Sequence, residues 1–245
     1  MSLGIVSAMP GELSTLTRER LPMGGCRLLR EGAWVALAGI GPRRAMLAGA
    51  DLLSRGTTAL ISWGTAAALD PALPAGALVV PRRVIGADGM VYLVDTGWHR
   101  RLIDRLAERH DVHDGALAES RELLRGPEEK RRLFRETSAE AADMESAALA
   151  RLACERGIPF CVVRAIVDPG DFELPRCLAN AVDGRGQVLL ARLLARAVLH
   201  PGDWRRLRQL GRHFHAARET LTRVISTIGL ETLGPDLCVA AASRP

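Results

Sequence analysis

The chain alternates between short, nearly uninterrupted apolar runs and longer segments in which apolar residues recur three and four positions apart. Runs rich in Val, Ile, Leu and Ala predict strands buried on both faces, and the longer segments predict helices that pack by one face. This alternation is typical of an α/β fold with a largely buried central sheet. Strands are predicted at 3–8, 34–39, 58–63, 77–80 and 160–167, and helices at 11–20, 42–55, 98–109, 128–136, 141–156 and 187–199.

A further helix, amphipathic and basic, is predicted after residue 202. One stripe of this helix is apolar, and arginines flank the stripe. The pattern favours a helix that packs on the domain with its arginines in solvent over one that binds a membrane surface or a partner. The stripe consists of Trp204, Leu207, Leu210, Phe214, Ala217, Leu221 and Val224, and the flanking residues are Arg205, Arg206, Arg208, Arg212 and Arg223.

The composition indicates a globular protein. With 245 residues, 48% hydrophobic and 25% charged, the chain can bury a substantial core, and disorder is not expected. No apolar run reaches the ~18 residues needed to cross a bilayer, and the first residues do not resemble a secretory signal, so a cytoplasmic location is predicted. The five cysteines are odd in number and form no CxxC pair, which predicts reduced thiols rather than disulfides or a zinc site.

The net charge of +5 is concentrated towards the C-terminus. Residues 191–225 contain eight arginines and two acids, a local +6, whereas residues 1–190 balance to zero. Lys130 is the single lysine, so arginine supplies nearly all of the basic residues. Nucleic acid is not predicted as a partner, because the nine aromatic residues are dispersed and form no stacking platform.

The segment 38–45 forms a glycine-rich turn between a predicted strand and a predicted helix. The third glycine of the dinucleotide pattern GxGxxG would fall at Arg44, so a Rossmann-type cofactor is not predicted. Arg43 and Arg44 lie in the first helical turn, where each cation opposes the helix dipole by ~0.3–1 kcal/mol. A nearby anion would relieve that cost, and the alternative is that both arginines extend into solvent.

Two predicted strands end in residues that could face a ligand. Gly64 and Thr65 offer backbone N–H groups and a hydroxyl at the carboxyl edge of the sheet, where ligands bind in open α/β folds, although a glycine there also suits an ordinary turn. Asp168 follows the strand at 160–167, and partial desolvation would raise the pKa of its carboxyl towards that of an acid catalyst. The alternative for Asp168 is a simple Asp-Pro-Gly turn.

Further acids occur at predicted helix starts. The segment 142–148 contains Glu145 next to Met144, and Glu12 follows the first strand. Acids in these positions complement the helix dipole, which is a sufficient structural explanation for each of them alone.

Taken in order, these segments resemble the nucleoside phosphorylase and nucleosidase superfamily, particularly the branch that contains methylthioadenosine/S-adenosylhomocysteine nucleosidases. The resemblance spans about residues 3–200, and the pair formed by DMES and VVRAIVD is its most specific part. The motifs are GIVSAMPGE at 4–12, GIGPRRA at 39–45, WGTAAALDPALPAG at 63–76, ADMESAALA at 142–150 and VVRAIVD at 162–168.

The resemblance implies a three-layer αβα sandwich with a mixed, largely parallel central sheet, formed by a domain at 1–200. The basic amphipathic helix and tail at 201–245 would pack on this domain or extend from it. The implied activity is cleavage of a purine N-glycosidic bond with release of adenine. Asp168 would be the general acid at purine N7, and Glu145 with the Met144 backbone would hold the ribose hydroxyls. The purine neighbours would be Ser120, Leu123 and Leu124.

The nucleophile implied by the resemblance is either water, activated by Glu12, or phosphate as a co-substrate. No metal and no other cofactor is implied. The arginine pair favours phosphorolysis, whereas the side chains that follow Gly64, in place of the GSAGG-like run of small-substrate relatives, restrict the approach of an anion. Phosphate would be held by Gly41, Arg43, Arg44, Gly64 and Thr65.

Within the superfamily, the chain is most similar to hopanoid-associated phosphorylases, which remove adenine from adenosylhopane. The similarity rests on DMES, on the DP-rich segment after VVRAIVD and on PGDWRR at 201–206. It implies a lipid-linked nucleoside as substrate and peripheral membrane contact through the basic helix. A homodimer is expected by analogy. The alternatives are a methylthioadenosine/S-adenosylhomocysteine-type nucleosidase and a non-catalytic nucleoside sensor.

Overall fold

A mixed sheet of eleven strands organises the computed structural model, which describes residues 2–29, 32–175 and 203–235. The strands are β1 (Leu3–Ser7), β2 (Cys26–Leu28), β3 (Trp34–Leu37), β4 (Ala59–Ala68), β5 (Leu78–Val79), β6 (Arg83–Ile85), β7 (Val91–Leu93), β8 (Val112–His113), β9 (Ala116–Glu119), β10 (Ala141–Asp143) and β11 (Phe160–Asp168). The helices are α1 (Pro10–Leu13), α2 (Pro42–Ser54), α3 (Thr96–Leu106), α4 (Pro127–Thr137), α5 (Ser146–Arg156) and α6 (Asp203–Ile228). The helix predicted at 187–199 lies outside the described residues.

The long strand β4 is the axis of the sheet. Its first half lies between β1 and β11, both parallel to it, and Ala67 and Ala68 near its end pair with the antiparallel β10. Six of the ten strand pairings among the described residues are parallel and four are antiparallel. The predicted α/β fold with a mixed, largely parallel sheet is confirmed.

The helices cover the sheet in two groups. Helix α2 packs on α5, and α5 also contacts β4 and β11, whereas α6 packs on β11, α3 and α1. Ala217, Leu221 and Val224 of the predicted apolar stripe are buried, but Trp204 at its start is 58% exposed. No helix within the described residues combines the length and hydrophobicity that a bilayer crossing requires.

The helix predicted at 141–156 is wrong over its first five residues. Residues 141–143 form β10, which pairs with β4 and β9, and the helix begins at Ser146. The alanine-rich sequence has a high helix propensity, but pairing within the sheet overrides it. Asp143 marks the change, because its Oδ1 accepts hydrogen bonds from the backbone N–H groups of Glu145 and Ser146 at 3.2 and 3.1 Å.

The helix predicted at 11–20 is also much shorter in the structure, where α1 ends at Leu13. The hydroxyls that follow it bond to helix carbonyls: Ser14 Oγ donates to Gly11 O at 2.8 Å and Thr15 Oγ1 donates to Glu12 O at 2.6 Å. Such local bonds compete with helix propagation. The strands β2 and β6 to β10, each of two to four residues, were not predicted.

Candidate active site

Four buried carboxyl groups line one cavity of about 450 Å³. Glu12 follows β1, Asp143 ends β10, Glu145 precedes α5 and Asp168 ends β11. Because β1 and β11 run parallel to the strand between them, their carboxyl ends meet at the same edge of the sheet. The cavity is within the usual size range of small-molecule sites, roughly 300–1,000 Å³.

Glu12 is held by four hydrogen bonds. Its Oε1 accepts from the backbone N–H and the hydroxyl of Thr65 at 2.8 and 2.7 Å. Its Oε2 accepts from the backbone N–H groups of Ala8 and Met9 at 3.1 and 3.0 Å. Burial raises the pKa of Glu12, and the charge of Arg164 and the hydrogen bonds from Thr65 oppose that rise. The carboxylate is therefore fixed in one orientation at the cavity wall.

Arg164 is a buried cation beneath the cavity, with 3% of its surface exposed. Its Nε donates to Asp143 Oδ2 at 2.7 Å, and its Nη2 donates to Ser62 Oγ at 2.6 Å. Burial alone would lower the pKa of Arg164, but the charges of Asp143, Glu12 and Glu145 together raise it. One guanidinium thus serves three carboxyl groups, which favours a proton on one of them.

Glu145 is the carboxyl on which that proton is best accommodated. Its Oε1 accepts from the Gly41 backbone N–H at 2.7 Å. Burial, and secondly the charge of Asp143, raise the pKa of Glu145 to about 7, while Arg164 opposes the rise. Near neutral pH, Glu145 can therefore both donate a hydrogen bond to a hydroxyl group and accept one from it.

Asp168 forms a buried ion pair with Lys130 of α4. Lys130 Nζ donates to Asp168 Oδ1 at 2.6 Å, and the lysine side chain has no exposed surface (0%). Burial raises the pKa of Asp168 to about 6, although the charge and the hydrogen bond of Lys130 oppose this. Burial likewise lowers the pKa of Lys130, against the pull of Asp168. Near neutral pH, a fraction of Asp168 carries a proton that it can donate.

Lys130 and Arg164 were not among the predicted site residues. Lys130 lies 38 positions before Asp168, and the packing of α4 rather than any short motif brings the two together. The sequence does hold one signal, since Lys130 is the only lysine among 33 basic residues. Arg164 stands inside the VVRAIVD motif, where an arginine in an otherwise apolar strand requires buried partners.

The residues predicted around the purine and the ribose lie together. Met144, beside Glu145, lines the cavity. The three predicted purine neighbours, Ser120, Leu123 and Leu124, line it as well. Ser120 follows β9, and its hydroxyl donates to Glu122 O at 2.5 Å.

Three residues predicted to hold phosphate interact with carboxyl groups in this structure. Thr65 lines the cavity, but its N–H and hydroxyl both donate to Glu12. The Gly41 N–H donates to Glu145. Gly64 lies against the carboxyl of Glu12. In this structure the donors of the two loops are directed at protein carboxylates.

The two arginines predicted to bind phosphate lie outside the cavity wall. Arg43 is exposed, and the half-buried Arg44 folds back so that its Nη1 is 2.8 Å from the place where a Cβ on Gly39 would stand. No arginine or lysine lines the cavity within the described residues.

One wall of the cavity is apolar and comes from the C-terminal helix. Leu207, Leu210 and Phe214 of α6 line it. Phe214 is packed closely against α1, because a Cβ on Gly11 would lie 2.6 Å from its Cζ. Further apolar lining comes from Ile40, Leu123, Leu124, Val167 and Leu174.

Comparisons with known proteins agree with this architecture. Residues 2–198 match the phosphorylase superfamily. A 5′-methylthioadenosine/S-adenosylhomocysteine nucleosidase of Helicobacter pylori is 19% identical with a TM-score of 0.67, covering 92% of this chain and 97% of that one. The futalosine hydrolase of the same organism is 19% identical with a TM-score of 0.66 and the same coverage. An S-adenosylhomocysteine nucleosidase of Streptococcus pyogenes is 20% identical with a TM-score of 0.67, covering 93% of this chain and 95% of that one. Curated protein sequences gave no significant match.

The match to the Helicobacter pylori nucleosidase covers 92% of the 245 residues, which is more than residues 1–200 alone could supply. The match therefore extends beyond residue 200. Part of the C-terminal segment therefore has a counterpart in these structures. The superfamily match covers most of the chain, and it confirms the predicted class, an enzyme of the nucleoside phosphorylase and nucleosidase type. With the motif order, the mixed sheet and the cavity at its carboxyl edge in agreement, the chain belongs to the phosphorylase superfamily.

Proposed function

We propose that the protein cleaves the N-glycosidic bond between the ribose and the adenine of an adenosyl compound, with water as the nucleophile. The observation that supports this most strongly is that Asp168, Glu145 and Glu12 line one cavity, each with different partners. Bond cleavage develops positive charge on the sugar and negative charge on the leaving purine. The three carboxyl groups match these needs.

Asp168 acts on the leaving group. A general acid is most effective when its pKa lies near the working pH, and burial raises the pKa of Asp168 to about 6. Its proton passes to purine N7, so that the base leaves as a neutral molecule. Ser120 and Leu124 support the purine plane from the cavity wall.

Glu145 and the Met144 backbone hold the ribose. A carboxyl group with a pKa of about 7 can donate a hydrogen bond to a sugar hydroxyl or accept one from it. The Oε1 of Glu145 is already oriented by the Gly41 N–H. Fixing the ribose in this way aligns C1′ with the acid on one side and with the nucleophile on the other.

Glu12 activates the nucleophile. A carboxylate near the anomeric carbon suits deprotonation of water, whereas it repels a phosphate dianion. The donors of Thr65 are already directed at Glu12, and no cation lines the described part of the cavity. These observations support hydrolysis, and phosphorolysis remains the second candidate because of the superfamily.

The 5′ substituent of the substrate is proposed to be apolar, and adenosylhopane is the specific candidate. Leu207, Leu210 and Phe214 of α6 support this, since they offer a hydrocarbon wall in the same cavity as the acids. Methylthioadenosine, with a small apolar 5′ group, is the alternative substrate that the same wall would suit.

The basic face of α6 supports peripheral contact with an anionic membrane. Arg205, Arg208 and Arg212 are exposed on this helix. Flotation with liposomes should show binding to anionic vesicles that is lost when these arginines are replaced by serine. Equal binding to neutral and anionic vesicles would contradict the proposal.

A homodimer is proposed from the exposed apolar edge of the sheet. Leu93 and Val91 on β7 are 77% and 52% exposed, which is unusual for such side chains in an edge strand. Light scattering should give the mass of a dimer for the wild type and of a monomer for Leu93→Asp. A monomeric wild type would contradict the proposal.

The activity is tested by incubating the purified protein with methylthioadenosine, S-adenosylhomocysteine and adenosylhopane, with and without phosphate, and identifying both products. Free adenine with the reducing sugar, at a rate independent of phosphate, is the expected result. A sugar 1-phosphate formed only with phosphate would instead establish phosphorolysis. Tight binding of these compounds without release of base would indicate a sensor and would reject the enzymatic proposal.

A further inference from the structure

The ammonium group of Lys130 has all three of its N–H donors satisfied. Nζ donates to Asp168 Oδ1 at 2.6 Å, to Pro169 O at 2.7 Å and to Phe172 O at 2.9 Å. Three donors around one nitrogen are what an ammonium provides, whereas a guanidinium spreads its donors over a plane. This geometry gives a reason for the single lysine in a chain that otherwise uses arginine.

Lys130 contacts only one of the two carboxyl oxygens of Asp168. The hydrogen bond is to Oδ1, and no donor from the described residues bonds to Oδ2. Asp168 also lines the cavity. Among the described residues, Oδ2 is therefore the oxygen of Asp168 without a protein donor, and its direction is set by the bond that Oδ1 makes.

Other charged groups near Lys130 come from three segments. The charges of Asp171 after β11 and Glu129 on α4 raise the pKa of Lys130, and the charge of Lys130 lowers the pKa of His213 on α6. The His213 ring lies edge-on to Phe172, with centroids 5.0 Å apart. Asp168 is the group with which Lys130 forms its buried ion pair.

We propose that Lys130 is a positioning residue that acts through Asp168: it holds Oδ1 so that Oδ2 meets the purine, and it stabilises the carboxylate that remains after proton transfer. This inference rests on the proposed cleavage of a purine nucleoside. It assigns a role in the reaction to a side chain that does not line the cavity itself.

The proton and electron balance of the step is simple. The proton on Asp168 Oδ2 moves to purine N7, and the bonding pair between C1′ and N9 moves into the purine. Water supplies hydroxide to C1′ and leaves its second proton on Glu12. Asp168 is left as a carboxylate beside the Lys130 ammonium, which opposes the cost of a buried negative charge. After adenine departs, Glu12 releases its proton to solvent and Asp168 takes one up, which restores both groups for the next turnover.

The first test compares two leaving groups. An adenosyl substrate needs protonation at N7, whereas 4-nitrophenyl riboside releases a stable phenolate without it. In Lys130→Met we expect adenine release to fall roughly 10²-fold, by analogy with the loss of a general acid, and 4-nitrophenol release to stay within a few-fold of the wild type. Equal losses with both substrates would indicate a purely structural role and would overturn the proposal.

The second test is the pH profile of adenine release. Lys130 lowers the pKa of Asp168, so its removal raises that pKa, and the decline in rate on the alkaline side moves to higher pH. In the Asp168→Asn background, Lys130→Met should cause no further loss, since Lys130 acts only through Asp168. An unchanged profile, or a large additional loss in the double variant, would contradict the inference.

Arg131→Met is the matched control, because it removes a cation from the next position of α4 where the side chain is 61% exposed. It should leave both substrates and the pH profile unchanged. If Lys130→Met does not fold, Lys130→Gln keeps a donor without the charge and is measured in its place.

The pH profiles of the wild type alone test the general acid. The rate with the adenosyl substrate should decline on the alkaline side, whereas the rate with 4-nitrophenyl riboside should not. Parallel profiles would reject Asp168 as the general acid, and with it the inference about Lys130 that rests on this role. A wild type that releases no adenine rejects the proposed function itself. An active wild type whose Lys130 variants match it rejects only the role of Lys130.

Discussion

Gly64 lies in direct contact with the carboxyl group of Glu12. A Cβ on Gly64 would stand 2.7 Å from Glu12 Cδ and 2.6 Å from Arg164 Nη1. Both neighbours are buried and held by hydrogen bonds, so neither can move away easily. The absence of a side chain at Gly64 is therefore what allows the carboxylate and the guanidinium to lie side by side under the cavity.

Gly64→Ala is expected to displace Glu12 and to destabilise the fold. Overpacking of this kind costs about 1–3 kcal/mol in the free energy of unfolding. Activity should fall further than stability, because the nucleophile depends on the position of Glu12. Urea unfolding and adenine release measure the two effects. Gly97→Ala is the control, because a Cβ at Gly97 would make only ordinary contacts, at 3.6 and 3.7 Å. This variant should lower neither the free energy of unfolding nor the rate of adenine release.

Asp168→Asn should remove the general acid and keep the fold. The amide oxygen can still accept from Lys130 Nζ, so the structure around α4 is retained, while adenine release falls roughly 10²–10⁴-fold. Steady-state kinetics and circular dichroism together check this. Asp171→Asn, three residues away and exposed, is the control. Full activity of the Asp168 variant would remove the basis of the mechanism.

The stability of the protein should decrease as the pH rises through the weakly acidic range. Burial raises the pKa of Glu145 from 4.5 to about 7 and that of Asp168 from 3.8 to about 6. A carboxyl with a raised pKa binds its proton more tightly in the folded state, so the free energy of unfolding falls between the unfolded and the folded pKa. We expect a higher melting temperature at pH 5 than at pH 8, and a free energy of unfolding that is larger at pH 5 by an amount on the order of 1–3 kcal/mol.

Glu145→Gln should flatten this pH dependence, because it removes one of the two titrations. Glu136→Gln, on the exposed face of α4, is the control and should keep the wild-type slope. Scanning calorimetry from pH 5 to pH 8 distinguishes the variants. Identical slopes in wild type and Glu145→Gln would mean that Glu145 is not buried as the structure has it.

The α6 wall should determine the preference for apolar 5′ substituents. Leu210→Ser replaces hydrocarbon at the cavity with a hydroxyl, so kcat/KM for methylthioadenosine relative to adenosine should fall about tenfold or more. The neighbouring Gln209 lies outside the cavity wall, so Gln209→Ser is the control. A preference that is the same in both variants would exclude α6 from the recognition of the substituent.

The parts of the fold that the sequence predicts well are those that carry a long hydrophobic signal. The strand β11 and the helix α2 were expected within one residue of their observed bounds, and the start of β4 was also found, but β4 continues five residues past the predicted end at 63. The acids at the ends of such strands could be expected to share one edge of the sheet, and Glu12 and Asp168 do line one cavity. Local pattern and topology rules are enough for these conclusions.

The remainder depends on contacts between distant parts of the chain. The β10 segment has the composition of a helix, and its identity as a strand follows only from its pairing with β4 and β9. Thr65 suits an anion equally well by sequence, but its donors are directed at Glu12 because α1 brings a carboxylate to the same place. The partner of Asp168 follows from how α4 docks, which no residue spacing encodes.

The origin of the apolar wall in α6 has a consequence for synthesis of the protein. The chain emerges from the ribosome with its sheet strands first, and the segment that contains Leu207 and Phe214 follows all eleven of the described strands. Until that helix docks, the cavity with Glu12 and Asp168 lacks one side and is open to water. A nascent chain therefore has all eleven described strands before it has the helix that closes this side of the cavity.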